Sequence, residues 1–199
     1  MKHFICPLGQ EDLTNSFQKE IYTEGEYDRF GIKIESGDIV LDCGANVGIF
    51  SQYALDLGAS QIYAYECDEP HFNCLIQNIT SSNFNPTLGF VGHTHFNLSN
   101  ILIQHSLNKI DFAKIDIEGA EWDMFIHMNN EDMKKVNKWA IEFHTGYFNL
   151  GLTTEHKLNR LWDFLKILEK FSINGFNVYF EHIHKGWDIV MLYAKKNEL

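Results

Sequence analysis

The stretch from Gly37 to Ser51, GDIVLDCGANVGIFS, decides how the rest of the chain is read. Ile39, Val40 and Leu41 make a short continuous apolar run, the pattern of a strand buried on both faces of a parallel sheet. Asp42 ends that run. Gly44, Asn46 and Gly48 follow at alternate positions, and from Val47 onward apolar residues return at Phe50, Ala54 and Leu57 with helical spacing. The order is strand, tight loop, helix. Small loop residues let a ligand approach the backbone, and a helix N-terminus offers free N–H groups and a positive dipole end. This is a nucleotide-site geometry, with an ordinary strand-to-helix turn as the plain alternative.

What the loop lacks narrows the ligand. A dinucleotide site carries G-x-G-x-x-G and a phosphate loop ends in G-K-[ST], and neither pattern is present. The motif is Asp42-x-Gly44-x-Asn46-x-Gly48, whose strand-end acid repels phosphate and attracts an ammonium. S-adenosylmethionine fits, having an adenosine, an amino acid group and a sulfonium but no phosphate.

Composition sets the outer bounds. With 199 residues, 45% of them hydrophobic, the chain can bury one core of ordinary size, and a single domain over 1–199 is expected. Residues 1–36 read as a lead-in segment and 37–195 as the core of the fold. A formal charge of −11 disfavours non-specific binding to nucleic acid. Cysteines at 6, 43, 67 and 74 lack C-x-x-C spacing, so reduced thiols in a cytoplasmic protein are expected. The N-terminal apolar run is too short for a signal peptide, and no apolar segment reaches the ~18 residues of a membrane helix.

In the lead-in, Phe17, Ile21 and Tyr22 suit one side of a short helix, Glu24 and Glu26 a solvated turn, and Tyr27 a place near the cofactor. Gln61 to Tyr65 reads as the second strand and closes on Glu66, about 20 residues after the glycine-rich loop. An acid there binds ribose hydroxyls through its two carboxylate oxygens. Asp68 and Pro70 open the next helix. Ser81 to Pro86 reads as a loop and Leu88 to Val91 as a short strand, with His93 and His95 lacking a third metal ligand nearby. Ile110 to Ile117 reads as a buried strand leading to Asp116, Glu118 and Glu121 at a helix start. Helix capping accounts for the two glutamates, whereas Asp116 needs a ligand or Lys114 to meet its charge. Trp139 to Phe143 gives a further strand closing on Glu142 and His144. A helix capped by Thr153 or Thr154 carries Leu158, Leu161, Trp162, Leu165 and Leu168 on one stripe. Asn174-Gly175 stops it, and strands from Phe176 to Ile183 and Asp188 to Ala194 form a hairpin.

VLDCGANVGIFS at 40–51, YAYECD at 63–68, DFAKIDIEGAE at 111–121 and WAIEFH at 139–144 together resemble the FkbM family of S-adenosylmethionine-dependent methyltransferases, over roughly 20–145. The resemblance implies a Rossmann-like class I methyltransferase fold: a seven-stranded, mostly parallel sheet with an antiparallel last strand and helices on both faces. It also implies that Asp42, Gly44, Ala45, Asn46 and Gly48 hold the methionine part, that Glu66 and Cys67 lie at the ribose, and that Asp116 faces the methyl group and acceptor. The segment between 80 and 110 is shorter than the family's usual one, which leaves the adenine contact unassigned. The expected reaction is methylation of a hydroxyl on a sugar, glycolipid or small natural product. Alternatives are peptide or amide N-methylation and cofactor binding without catalysis. His144 and Glu118 are the expected general bases, His144 because an ordinary imidazole titrates near neutrality. A rival arrangement has Asp116, Glu142 and His144 holding Mg²⁺. Tyr147, Phe148 and Trp187 are candidates for the acceptor wall.

Overall fold

The computed structural model describes residues 2–94, 96–145, 153–184 and 188–197, with 154, 157, 182–184 and 188 described by backbone alone. Seven strands, β1 Ile39–Cys43, β2 Gln61–Glu66, β3 Phe84–Leu88, β4 Ile110–Ile115, β5 Val136–His144, β6 Phe176–His184 and β7 Asp188–Lys196, form one sheet. Their spatial order is β3-β2-β1-β4-β5-β7-β6. The pairs among β1 to β5 are parallel, while β7 runs antiparallel between β5 and β6. Because the chain leaves β3 at one edge and re-enters beside β1 as β4, the order of growth reverses there. Ligands in open α/β sheets bind outside the strand ends at such a reversal.

Helices α1 Glu11–Lys19, α2 Ile49–Asp56, α3 Glu69–Asn78, α4 Leu98–Gln104, α5 Glu121–His127, α6 Asn130–Met133 and α7 Thr154–Ile173 surround the sheet. Alternation along the strands divides the core. Val40, Ile62, Phe112 and Ala140 pack with Phe50, Ala54 and Leu75 on one face. Leu41, Ala113, Ile115 and Ile141 pack with Leu102, Phe125 and Phe171 on the other. Each face therefore has its own buried cluster, the pattern expected when parallel strands are covered on both sides.

Most expected elements form where the residues place them. Asp68 caps α3 through the His71 N–H with Pro70 in the first turn, and Thr153 caps α7 through the His156 N–H. Three details differ. β3 occupies Phe84–Leu88, starting within the segment read as a loop and ending at the first residue of the expected strand, and Val91 makes only an isolated bridge to Phe96. Asn85-Pro86 reads as a breaker, yet β3 pairs with β2 alone, and an edge strand tolerates a residue without an N–H. Glu26 is buried rather than solvated, its carbonyl accepting from the Tyr193 hydroxyl at 2.6 Å. The α7 stripe of Leu158, Leu161, Trp162 and Leu165 faces outward, while Ile167 and Phe171 make the buried contact. Among the described residues no helix is long and apolar enough to cross a membrane.

Candidate active site

The carboxyl ends of β1, β2, β4 and β5 share one rim, and the site is built there from their last residues. Gly44 comes first. Its φ is +77°, and a Cβ at this position would overlap the Asp116 carbonyl oxygen and stand 2.8 Å from the carbonyl carbon. Only glycine lets the chain leaving β1 lie against the chain leaving β4. Asp116 N–H donates to the Cys43 carbonyl (3.0 Å), and the N–H groups of Gly44 and Ala45 both donate to Tyr65 (2.9 Å each). Gly48, at φ +94°, leaves room for Leu75 of α3, which a Cβ would meet at 2.7 Å. Both glycines are therefore needed for contacts within the chain.

Glu66 ties the loop to β2. Oε2 accepts from the Asn46 N–H at 2.7 Å and Oε1 from the Asp68 N–H at 2.8 Å. Asn46 has φ +51°, and its own Oδ1 accepts from Val47 N–H. Each Glu66 oxygen keeps a second lone pair for a hydroxyl donor. Cys67 follows on the exposed turn.

Asp42 does not reach the rim. Its side chain is 0% exposed, with Oδ2 accepting from Ser51 Oγ at 2.6 Å and Oδ1 lying 3.4 Å from Lys114 Nζ. Where a contact with a ligand ammonium was expected, Asp42 meets Lys114 and Ser51 in this structure. Burial lifts the Asp42 carboxyl above its ordinary range, and Lys114 and Ser51 draw it back only in part. Lys114 also lies 3.3 Å from Asp116 Oδ2 and donates to the Gly44 carbonyl at 2.6 Å. Burial alone would lower its ammonium, but the charges of Asp116, Asp42 and Glu142 outweigh that and hold it above the usual lysine range. A sequence signal existed: Lys114 is the one charged residue within the apolar β4 run from Phe112 to Ile115.

Asp116, with a 24% exposed side chain, is the open carboxylate of the rim. Its Oδ1 lies 3.9 Å from His144 Nε2. His144 Nδ1 meets Glu121 Oε1 at 3.1 Å, and Glu118 Oε2 stands 3.4 Å from Nε2. Glu118 is 85% exposed on a residue with φ +54°, so it covers His144 from the solvent side. Glu121 is fully buried; the same Oε1 accepts from Ile117 N–H, and Oε2 has no hydrogen-bond partner among the described residues. Burial would lower the His144 imidazole, but Glu121, Asp116 and Glu118 overcome it and raise the pKa to about 9. His144 is thus held above the near-neutral range that its residue type suggests. Its partner is Glu121, which capping alone seemed to explain.

Glu142 stands beside them, 8% exposed, accepting a short hydrogen bond from the Tyr27 hydroxyl. Burial and the neighbouring charges of Asp116 and Glu26 push its carboxyl well above the ordinary range. Tyr27 thus reaches the site from the lead-in segment, its ring 5.7 Å from Lys114 Nζ. One ligand atom each from Asp116, Glu142 and His144 lies within 4.8 Å of the others. His95, Tyr147, Phe148 and Trp187 lie outside the described residues. A cavity of about 650 Å³ lined by Gly58, Ser60, Ile79 and Asn83 opens at the opposite strand ends and has no part in this rim.

The donor set suits S-adenosylmethionine in two respects. Glu66 offers lone pairs at the end of β2, where a ribose diol would be met, and Asp116 offers a partly exposed carboxylate where positive charge would be stabilised. The fold is that of class I methyltransferases. An S-adenosylmethionine-dependent methyltransferase from Mesorhizobium loti superposes with TM-score 0.60 at 10% identity, over 90% of this chain and 98% of that one. Precorrin-6y C5,15-methyltransferase from Geobacter metallireducens gives 0.56 at 11% identity, over 97% and 94%. Aeropyrum pernix fibrillarin, solved with S-adenosyl-L-methionine, gives 0.55 at 15% identity, over 84% and 70%. No curated protein sequence matches the chain. Residues 90–178 match the family model of the methyltransferase FkbM domain, a segment holding β4, β5 and the acids between them but not the β1 loop. Over those residues the chain is similar to the FkbM methyltransferase domain, and its fold is shared with S-adenosylmethionine-dependent methyltransferases.

Proposed function

We propose that the protein moves the methyl group of S-adenosylmethionine to a hydroxyl of a sugar, glycolipid or small natural product bound at the ends of β4 and β5. The observation that carries this is the open Asp116 carboxylate between the buried Lys114 pair and the His144 imidazolium. A carboxylate in that position can take up a hydroxyl proton. The cofactor supplies a methyl group on a positively charged sulfur. Glu66 holds the ribose hydroxyls, and the loop Gly44, Ala45, Asn46 and Gly48 shapes the methionine side, with Asp42 acting from below through Lys114. Asp116 would accept the acceptor's proton, and the cofactor, held by Glu66 and the loop, would supply the methyl group to the acceptor oxygen. His144, protonated, steadies the negative charge around Asp116 rather than serving as the base. Much of the rate comes from holding oxygen, carbon and sulfur in line, worth ~7–11 kcal/mol when well oriented.

The test is incubation with methyl-labelled S-adenosylmethionine and fractionated acceptor pools, followed by mass spectrometry of whatever gains the label. Asp116→Asn should lower turnover by ~10²–10⁴, the range of a lost general base, with a much smaller loss of cofactor affinity. Glu66→Gln should show the reverse split. Label found only on nitrogen, or an Asp116→Asn protein with undiminished turnover, would sink the assignment.

A further inference from the structure

We propose that Asp116, Glu142 and His144 form a divalent cation site for Mn²⁺ or Mg²⁺ that grips acceptors carrying two adjacent oxygens; this deepens the hydroxyl-transfer assignment above and rests on it. The spacing fits first. Ligands on opposite sides of a cation with metal–oxygen distances of about 2.0–2.6 Å stand roughly 4–5 Å apart, and the candidate ligand atoms here all lie within 4.8 Å of one another.

Orientation is the second point. Metal-bound histidines hold their other ring nitrogen on a carboxylate or carbonyl, which fixes the ring. Glu121 does this to Nδ1 from a fully buried position, and Nε2, whose proton a bound cation would replace, faces Asp116 and Glu118. The Trp122 indole N–H donates to the His144 carbonyl at 2.9 Å, which pins the strand end as well.

Glu142 supplies the third, independent point. Its carboxyl is more than nine-tenths buried and turned toward Asp116 and His144, yet among the described residues no lysine or arginine stands within ion-pair distance of it. Its hydrogen-bond partner is a neutral phenol. A buried carboxylate with no counter-charge in contact is costly unless a cation meets it. Lys114 acts on Glu142 only from beyond ion-pair distance, its ammonium being engaged by Asp42, the Gly44 carbonyl and Asp116 Oδ2. That engagement leaves Asp116 Oδ1 to the cluster.

Two carboxylates and one imidazole, with no thiolate in the set, suit Mn²⁺ and Mg²⁺ better than copper or a structural zinc. Such cations take about six ligands and keep exchangeable waters, so neighbouring positions stay open on the solvent side. A vicinal diol, a catechol or an α-hydroxy acid would fill two of them. The cation would acidify the acceptor hydroxyl; its proton leaves to water or Asp116, the oxygen–carbon bond forms, and the carbon–sulfur pair goes to sulfur.

Mn²⁺ titration of the full chain, read by the electron paramagnetic resonance of free Mn²⁺, tests this without any acceptor in hand. One saturable site is expected, weakened at least ~10-fold in Glu142→Gln and in His144→Asn. S-adenosylmethionine affinity is measured calorimetrically on the same preparations and should be retained in Glu142→Gln. Should Glu142→Gln fail the circular dichroism check of folding, His144→Asn decides. Wild-type protein that binds S-adenosylmethionine but takes up no Mn²⁺ overturns the cation site and leaves methyl transfer standing, as does uptake unchanged in the folded variants. Failure to bind S-adenosylmethionine would instead overturn the proposed reaction, whatever the Mn²⁺ result.

Discussion

Replacing Lys114 by Met removes the cation on which the rim is founded. Its side chain is 5% exposed and meets Asp42, Asp116 and the Gly44 carbonyl together. Methionine fills nearly the same volume, so packing changes little and the electrostatic loss dominates. Breaking a buried pair by removing one partner costs about 3–5 kcal/mol, because the remaining charge is stranded. Asp42, which is 0% exposed, is that charge, with only the Ser51 hydroxyl left to it. For a domain of this size each kcal/mol lowers the melting temperature by about 2–4 °C, so a fall of roughly 6–20 °C is expected. The cost also depends on pH. Asp42 would escape by taking a proton, its folded pKa moving further above the unfolded value of about 3.9. A folded state that binds more protons than the unfolded one loses stability as pH rises, so the deficit should grow from about pH 4 upward. Asp42→Asn in the same chain removes the stranded charge and should restore part of the loss. Urea denaturation of the two single variants and the double variant, at pH 5 and pH 8, measures all of this. A Lys114→Met protein within about 1 kcal/mol of wild type at pH 8, or a double variant no better than the single, would refute the account.

Gly44→Ala combines a disfavoured φ with an overlap on the Asp116 carbonyl, and should cost more than about 3 kcal/mol. Gly119→Ala, at φ +101° with open space around it, should cost only the ~1–2 kcal/mol of the backbone conformation; parallel thermal melts of the two check the contrast. Asp111 receives Lys109 Nζ at 2.9 Å, Ile39 N–H at 3.0 Å and Asn137 Nδ2 at 3.1 Å. Burial would raise its carboxyl, but Lys109, the Ile39 N–H and Asn137 prevail and hold it below the ordinary range. A depressed acid stabilises the fold above its unfolded pKa of about 3.9 and loses that contribution as pH falls through the folded pKa. Asp111→Asn should therefore be less stable than wild type at pH 7, by about 1.5–3 kcal/mol, and converge with it in acid unfolding curves below pH 4.

The strand-loop-helix at 37–51 was legible because a buried parallel strand and a helical period leave different marks, and the rim followed from the acids that end β2, β4 and β5. Pro86 hid β3, since its tolerance depends on having one neighbour in the sheet, and neighbours are not written in the local sequence. Asp42 looked like a ligand-facing acid because a strand end does not reveal what lies above it. His144 was found, but its charge state was not, as that depends on Glu121, 23 positions earlier and brought beside it by the parallel pairing of β4 and β5. At both glycine positions the structure adds a reason the local sequence does not show, the close approach of Asp116 and Leu75.

The absence of a side chain at position 44 joins two halves of the molecule that chemistry would treat separately. The peptide before the 44–48 loop and the peptide bearing Asp116 touch with no atom between them, so neither can shift alone. An engineer reshaping this rim should leave that seam intact and work at Glu118, which borders the solvent and touches the site through His144 alone among the described residues.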